Sequence, residues 1–145
     1  MHDVVVTAAT EVTSELVAAF ERLTPQLSSS SPSPDAATLQ AIIDHDACTL
    51  LIAQEGETIL GSLTLVVFPI PTGVRAWIED VVVDGAARGK GVGELLNREA
   101  LQRSAALGAK TVDLTSRPTR EAANRLYARI GFQRRDTNVY RYDLG

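Results

Sequence analysis

The chain has 145 residues, of which 45% are hydrophobic and 22% charged, and its formal net charge is −4. This length predicts one domain that buries a core without disulfide or metal staples. The acidic balance argues against nucleic-acid binding, which usually needs a basic surface. One cysteine and two histidines exclude an internal disulfide and a Cys/His-rich zinc site, so we predict no metal. Without a long apolar run or a basic N-terminal signal, we expect a cytoplasmic protein with no membrane partner.

The N-terminal third predicts a strand followed by a helix. Residues 4–6 are three β-branched valines, which favour a strand. Apolar residues over 12–23 then recur at helical spacing. Thr10 or Thr13 is the predicted cap of this helix, and Pro25 is its predicted end.

The next segment predicts a loop, a second helix and two long strands. The serine–proline run over residues 28–34 carries no core-forming side chain and predicts a loop. Asp35 is the predicted cap of the second helix. Residues 48–53 and 58–68 are apolar or β-branched runs and predict strands, with Gly61 as a candidate bulge in the second.

The second half alternates strands and helices. Residues 76–83 predict a strand, the sequence ARGKGVG over 87–93 opens a helix, and Gly108 is the predicted residue that ends it. Residues 111–115 predict a further strand.

The C-terminal part predicts one more helix and one more strand. A helix is predicted from Pro118, with Gly131 as its cap and Phe132 making the accompanying apolar contact. The alternation over 139–142 predicts a final strand. The order of elements indicates an α/β mixture around one sheet.

The glycine-rich loop between a buried strand and an amphipathic helix predicts a diphosphate site. Glycines lack a Cβ, so the backbone N–H groups of residues 88–93 can converge on an anion, and the helix N-terminus adds its positive dipole end. Arg88 and Lys90 add positive charge. The spacing fits neither the P-loop pattern nor the dinucleotide fingerprint. A tight turn that binds no ligand is the alternative.

Two motifs stand in order along the chain. The pattern Arg88-x-x-Gly91-x-Gly93, preceded by IEDVVV over 78–83, resembles the acetyl-CoA-binding motif of the GNAT superfamily of N-acetyltransferases. The sequence NRLYARIGF over 124–132 is similar to the second signature of that superfamily.

The resemblance implies a fold and a domain organisation. We expect a single GNAT domain over residues 1–145 of α/β (α+β) class. The expected sheet is mixed and mostly antiparallel, with splayed central parallel strands, and about four helices flank it.

The resemblance also implies which residues bind acetyl-CoA. The splayed strands would be 76–83 and 111–115, with the pantetheine amides pairing with the backbone of Val81 and Val83. The full set of expected cofactor-binding residues is Val81, Val82, Val83, Arg88, Gly89, Lys90, Gly91, Val92, Gly93 and Asn124.

The same resemblance implies two catalytic residues. Tyr127 is expected to protonate the leaving thiolate, with a core tyrosine as the alternative. Glu79 is expected to take the proton of the acceptor ammonium, directly or through water. Asp80 lies on the opposite face of a regular strand, and a bulge would change which of the two carboxylates faces the cleft.

We therefore expect an acetyl-CoA-dependent N-acetyltransferase that transfers acetyl directly to a primary amine of a small molecule or protein. The alternatives are a non-catalytic acyl-CoA-binding regulatory module and an N-acyltransferase that uses another acyl donor. The acidic net charge favours a cationic acceptor. The acceptor's identity and the oligomeric state, monomer or homodimer, stay open.

Overall fold

A computed structural model describes residues 3–145, which form two compact units that meet in sequence at Leu114 and Thr115. Five strands are described: β1 (Val4–Ala8), β2 (Cys48–Glu55), β3 (Thr58–Ile70), β4 (Gly73–Val83) and β5 (Thr111–Asp113). Four α-helices are described: α1 (Ser14–Leu27), α2 (Ala36–Asp44), α3 (Val92–Ala106) and α4 (Glu121–Ile130). A single 3₁₀ turn, Gly85–Ala87, lies between β4 and α3.

The first unit is built on one mixed sheet. Its strand order is β1-β2-β3-β4-β5, in which the first four strands are antiparallel and β4 pairs with β5 in parallel. This topology, with its flanking helices, confirms the predicted α/β class. The prediction of a single domain over residues 1–145 stays a prediction.

Helices cover both faces of the sheet in the first unit. Leu50 and Ile52 of β2 belong to a core cluster with Leu16 of α1 and Leu39 of α2. Side chains alternate along a strand, so the neighbours of these residues on β2 point to the opposite face of the sheet, which packs against α3. Residues 50–53 of β2 are therefore buried and apolar on both faces, as expected for a strand covered on both sides.

The predicted bulge near Gly61 is confirmed, and it lies at a close approach. Ala53 pairs with Gly61 and Gln54 with Ile59, which leaves Leu60 as the extra residue. A Cβ on Gly61 would lie 2.7 Å from the Val82 carbonyl oxygen, a distance that real Cβ atoms essentially never show.

We expect Gly61→Ala to lower the free energy of unfolding by about 1–3 kcal/mol, because the backbone must move to admit the methyl group. Urea unfolding followed by circular dichroism measures this difference. Thr58→Ala, at an exposed position on the same strand, is the matched control and should change stability little. Equal stability of the two variants would contradict the assigned close approach.

The predicted caps of the first two helices are confirmed. Thr13 accepts the Leu16 N–H at 3.1 Å, and Asp35 accepts the Thr38 N–H at 2.8 Å. The prediction that Pro25 ends α1 is wrong, because the helix continues to Leu27. A proline has no backbone N–H to donate, and its ring clashes with the carbonyl one turn earlier. The hydrogen bond from the Ser28 N–H to the Thr24 carbonyl nevertheless closes the last turn of the helix.

The second unit, Thr115–Gly145, contains α4 and a long C-terminal segment. The helix begins at Glu121 rather than at Pro118, after a turn in which the Arg120 N–H bonds to the Arg117 carbonyl. The predicted strand over 139–142 is wrong, since no residue from Gly131 to Gly145 lies in a strand. A strand needs a hydrogen-bonding neighbour, and these residues are exposed, with Tyr140 and Tyr142 each 87% accessible.

Candidate active site

A bulge interrupts β4 at the two acidic residues. Glu79 pairs with Thr64 and Val82 pairs with Ser62, so Asp80 and Val81 together oppose the single residue between them on β3. Asp80 has a φ of +48°, in the left-handed region that aspartate tolerates better than most residues. The bulge therefore changes the alternation of faces along β4 at this point.

The register settles which face Glu79 occupies. Its partner Thr64 pairs in turn with Leu50, which belongs to the cluster beneath α1 and α2. Residues directly opposite one another share a face, so Glu79 lies on the α1–α2 face of the sheet and is exposed. Trp77, two residues earlier and half-buried, lies on the same face. Asp80 occupies the extra position of the bulge and is also exposed.

The ladder between the parallel strands β4 and β5 ends before the bulge is reached. Their pairing runs from Arg75 opposite Thr111 to Trp77 opposite Asp113, while β4 continues to Val83. The β5-facing edge of the last six residues of β4 therefore makes no ladder with β5. An extended ligand that carries amide groups can complete such an edge by strand-like hydrogen bonds.

The glycine loop leads from β4 into the N-terminus of α3. Gly89 and Gly91 have φ values of +83° and +72°, and a Cβ on either would meet no heavy atom within 4 Å. Gly91 is the N-cap, and it leaves the N–H groups of Val92 and Gly93 without partners inside the helix. Unpartnered N–H groups at a helix N-terminus, beside glycines without side chains, fit a diphosphate. The residues present therefore fit the phosphate end of an acyl-CoA.

The charge of this loop differs from the expectation in one respect. Lys90 Nζ lies 3.0 and 3.2 Å from the two carboxylate oxygens of Glu55, at the end of β2. This ion pair offsets the positive charge that Lys90 was expected to supply. Arg88 is exposed at the start of the loop.

Sequence reasoning missed the polar side chains that flank the loop. Arg22 and Gln26 of α1 contact Asp84 and Gly85, immediately after β4. The residue Asp84 before Gly85 is a local capping signal that the sequence contains. Its partners lie about sixty positions away in sequence, where no local pattern points to them.

A second missed residue is Asn97, which is fully buried on α3. Its Nδ2 donates to the Gly93 carbonyl at 2.8 Å and so holds the last glycine of the motif. Its Oδ1 has no partner among the described residues. The apolar periodicity of α3 gave no reason to single out an asparagine at this position.

The second unit contains Asn124 and Tyr127, three positions apart on α4 and thus on one side of that helix. The Asn124 Nδ2 donates to the Arg117 carbonyl at 3.0 Å, which ties the preceding turn to the helix. Tyr127 is buried, and its ring meets that of Phe132 edge to face, with centroids 5.7 Å apart. This contact confirms the apolar partner predicted for Phe132.

The Tyr127 hydroxyl is neutral over a wide pH range. Burial raises the pKa of this phenol above its ordinary value, against the smaller lowering effect of the Arg120 charge. The side chain is therefore a hydrogen-bond donor at neutral pH, which is the form that a general acid requires.

Within residues 3–145, no group of three or more acidic, histidine or cysteine side chains is placed to hold a metal ion. Over the same residues, none of the helices has the length and apolar character of a membrane span.

The model of the Acetyltransferase (GNAT) family matches residues 13–132. The chain belongs to the GNAT acetyltransferase family. No curated protein matches this sequence.

Solved structures share the fold over nearly the whole chain. A transcriptional regulator from Bacillus halodurans C-125 is 26% identical with a TM-score of 0.82, covering 97% of this chain and 99% of its own. A putative acetyltransferase from Agrobacterium tumefaciens str. C58 is 23% identical with a TM-score of 0.85, covering 96% and 99%. An aminoglycoside N-acetyltransferase in complex with CoA is 14% identical with a TM-score of 0.80, covering 100% and 97%. For the second and third of these structures, which are 23% and 14% identical, the likeness shows the fold alone.

Proposed function

We propose that this chain is an N-acetyltransferase that transfers acetyl from acetyl-CoA directly to an amine. The observation that carries the proposal is the succession along the first unit of the bulge at Asp80, the edge of β4 that makes no ladder with β5, and the helix N-terminus at Gly91. A thioester with an amide-bearing arm and a diphosphate matches each part of that path in order.

The first unit would hold the donor through backbone groups. The amides and carbonyls of Val81 and Val83 would pair with the pantetheine arm, and Val82 would hold the strand against its neighbour. The backbone N–H groups of residues 88–93 would bind the diphosphate, with Arg88 adding charge. Asn124 is proposed to contact the cofactor as well. When bound, acetyl-CoA supplies an acetyl group activated as a thioester.

Glu79 would prepare the acceptor. An amine with a pKa of about 10 is neutral in only about one molecule per thousand at pH 7, so recovering the reactive form costs about 4 kcal/mol. A carboxylate beside the acceptor can take this proton, directly or through one water. The exposure of Glu79 on the α1–α2 face, where a solute can reach its carboxylate, supports this role. A backbone N–H at the bulge, beside Val81, would polarise the thioester carbonyl.

Tyr127 would act on the leaving sulfur. A thiol has a pKa of about 8.5 and a phenol of about 10, so full proton transfer from the phenol is uphill by about 2 kcal/mol. Burial of Tyr127 raises its pKa further, so its main action would be a hydrogen bond to the charge that develops on sulfur.

The acceptor that the surface charge favours is a polycationic small molecule. Residues 11–46, which include the two helices on the Glu79 face, carry six exposed carboxylates and one arginine, which pairs with Asp84. The carboxylates are Glu11, Glu15, Glu21, Asp35, Asp44 and Asp46. Such a surface attracts polyamines and aminoglycosides and accelerates their association at low salt.

A non-catalytic acyl-CoA-binding module is the second candidate. Its support is the 26% identity with a protein described as a transcriptional regulator. Binding measurements do not separate the two candidates, whereas thiol release from acetyl-CoA over time does. A panel of polyamines, aminoglycosides and lysine peptides should give amine-dependent release, fastest with the polycations. Release that no amine accelerates would favour the module, and faster release from another acyl-CoA would identify a different donor.

We expect Glu79→Gln to lower kcat/KM at neutral pH by about tenfold to a hundredfold. The loss should shrink as the pH approaches the acceptor pKa, because solvent then supplies the neutral amine. Steady-state rates across pH measure both effects. Asp80→Asn is the matched variant, since asparagine also tolerates the left-handed backbone at this position. A larger loss in Asp80→Asn than in Glu79→Gln would assign the proton transfer to Asp80.

A further inference from the structure

Three polar side chains connect the C-terminal part of α1 to the turn before the glycine loop. Arg22 Nε donates to Asp84 Oδ2 at 2.8 Å, and Arg22 Nη2 donates to the Ile59 carbonyl at 2.6 Å. Gln26, one turn later, accepts the Gly85 N–H at 2.8 Å and donates to Asp84 Oδ1 at 3.4 Å. We call Arg22, Gln26 and Asp84 the α1 clamp.

Asp84 is the centre of the α1 clamp. Its own N–H donates to the Leu60 carbonyl at 2.8 Å, and its Oδ1 accepts the Ala86 N–H at 3.1 Å, which starts the 3₁₀ turn. The side chain is only 15% exposed. The Ala86 N–H and then the Arg22 side chain hold the pKa of Asp84 below its ordinary value, so the carboxylate that accepts these bonds persists at neutral pH.

The glycine loop is held at Lys90, whose Nζ pairs with Glu55 and whose N–H donates to the Ala87 carbonyl at 3.3 Å, and at its two ends. Gly89 and Gly91 have no side chains to anchor, and the space around their Cα atoms is open. The helix α3 fixes the C-terminal end of the loop. At the other end only residues 85–88 separate Asp84 from Gly89, so the α1 clamp fixes where the loop begins.

We propose that the α1 clamp positions the glycine loop for the diphosphate of an acyl-CoA and so ties donor binding to helix α1. Arg22, Gln26 and Asp84 are positioning residues, which act through the backbone of residues 85–93. The inference rests on the proposed function. Because α1 also packs on the face of the sheet that carries Glu79, the clamp connects the donor loop to that face within one unit.

The test compares Arg22→Met and Asp84→Asn with a matched control in the purified full-length protein. The control is Arg103→Met, which breaks the 2.8 Å ion pair with Glu99 on α3, a pair of similar exposure away from the loop. Calorimetric titration with CoA should show about tenfold weaker binding in both clamp variants. The control should bind as the wild type does.

Two readouts separate positioning from a general loss of stability. With acceptor saturating, KM for acetyl-CoA should rise in the clamp variants while kcat changes little. Without ligand, amide hydrogen exchange over residues 85–93 should become faster in the clamp variants and not in Arg103→Met. A shift in melting temperature with unchanged CoA affinity and unchanged exchange in this segment would overturn the proposal.

Failure of the proposed function gives a different result. If the wild-type protein binds no CoA, the proposed function is refuted, and so is the binding of an acyl-CoA donor at the glycine loop. Faster exchange over residues 85–93 in the clamp variants would still support their positioning of the loop. Unchanged exchange would refute the clamp as well.

Discussion

Gly91→Asp is expected to stay folded and to bind acetyl-CoA at least about a hundredfold more weakly than the wild type. The fold should survive because the space around Gly91 is open, aspartate tolerates a positive φ, and a carboxylate at a helix N-terminus is favourable. Binding should fail because the new carboxylate faces the diphosphate, and like charges in contact cost several kcal/mol. Calorimetry with acetyl-CoA measures the affinity, and circular dichroism confirms the fold.

Two variants control this prediction. Gly108→Asp places the same side chain at the opposite end of α3, at a glycine with a φ of +83° and equally open surroundings. It should bind acetyl-CoA as the wild type does. Gly91→Asn keeps the size of the side chain without the charge and should fall between the two. Unchanged acetyl-CoA affinity in folded Gly91→Asp would show that the diphosphate does not bind at this loop.

Tyr127→Phe is expected to keep acetyl-CoA affinity within a few-fold and to lower turnover by about tenfold to a thousandfold. The ring and its edge contact with Phe132 are retained, so only the hydroxyl is lost. Steady-state kinetics with the true acceptor measure the effect. Tyr140→Phe makes the same change at an exposed site and is the control. Wild-type turnover in Tyr127→Phe would make this tyrosine a packing residue.

The same pair of variants tests the environment of the phenol. Because burial raises the pKa of Tyr127 above its unfolded value near 10, its contribution to stability is complete below about pH 10. It is lost as the pH rises further, since the unfolded chain ionises first. Tyr127→Phe should therefore lose less stability than the wild type between neutral pH and pH 11, and Tyr140→Phe should follow the wild type.

The parts of the fold that local sequence specifies could be predicted. The caps at Thr13 and Asp35 act over three residues, and the bulge at Gly61 has its signal at a single glycine inside a β-branched run. The prediction that Pro25 ends α1 failed because a helix tolerates one missing N–H donor in its last turn when the following residue still closes that turn by a hydrogen bond. The predicted strand over 139–142 was wrong because an alternating pattern indicates which side chains would share a face, but it does not show that a neighbouring strand is available for pairing.

In the candidate site, too, local features could be predicted from the sequence and long-range contacts could not. The glycine loop is one continuous segment before a helix, so its geometry follows from the residues themselves. The face on which Glu79 lies follows from the pairing of β4 with β3 and of β3 with β2, which the sequence of β4 alone does not give. The partners of Lys90 and Asp84 lie 35 and 62 positions away in sequence. Only the folded chain brings these charges together.

The most direct test is a joint measurement of thiol and product with spermidine as the acceptor. Wild-type protein, acetyl-CoA and the polyamine are incubated, and free CoA and N-acetylated spermidine are quantified over time. The proposed function predicts equal amounts of the two, formed only when both substrates are present and strongly reduced in Gly91→Asp and Tyr127→Phe. CoA binding with no amine product, from spermidine or from the other amines of the panel, would contradict acetyl transfer and leave an acyl-CoA-binding module.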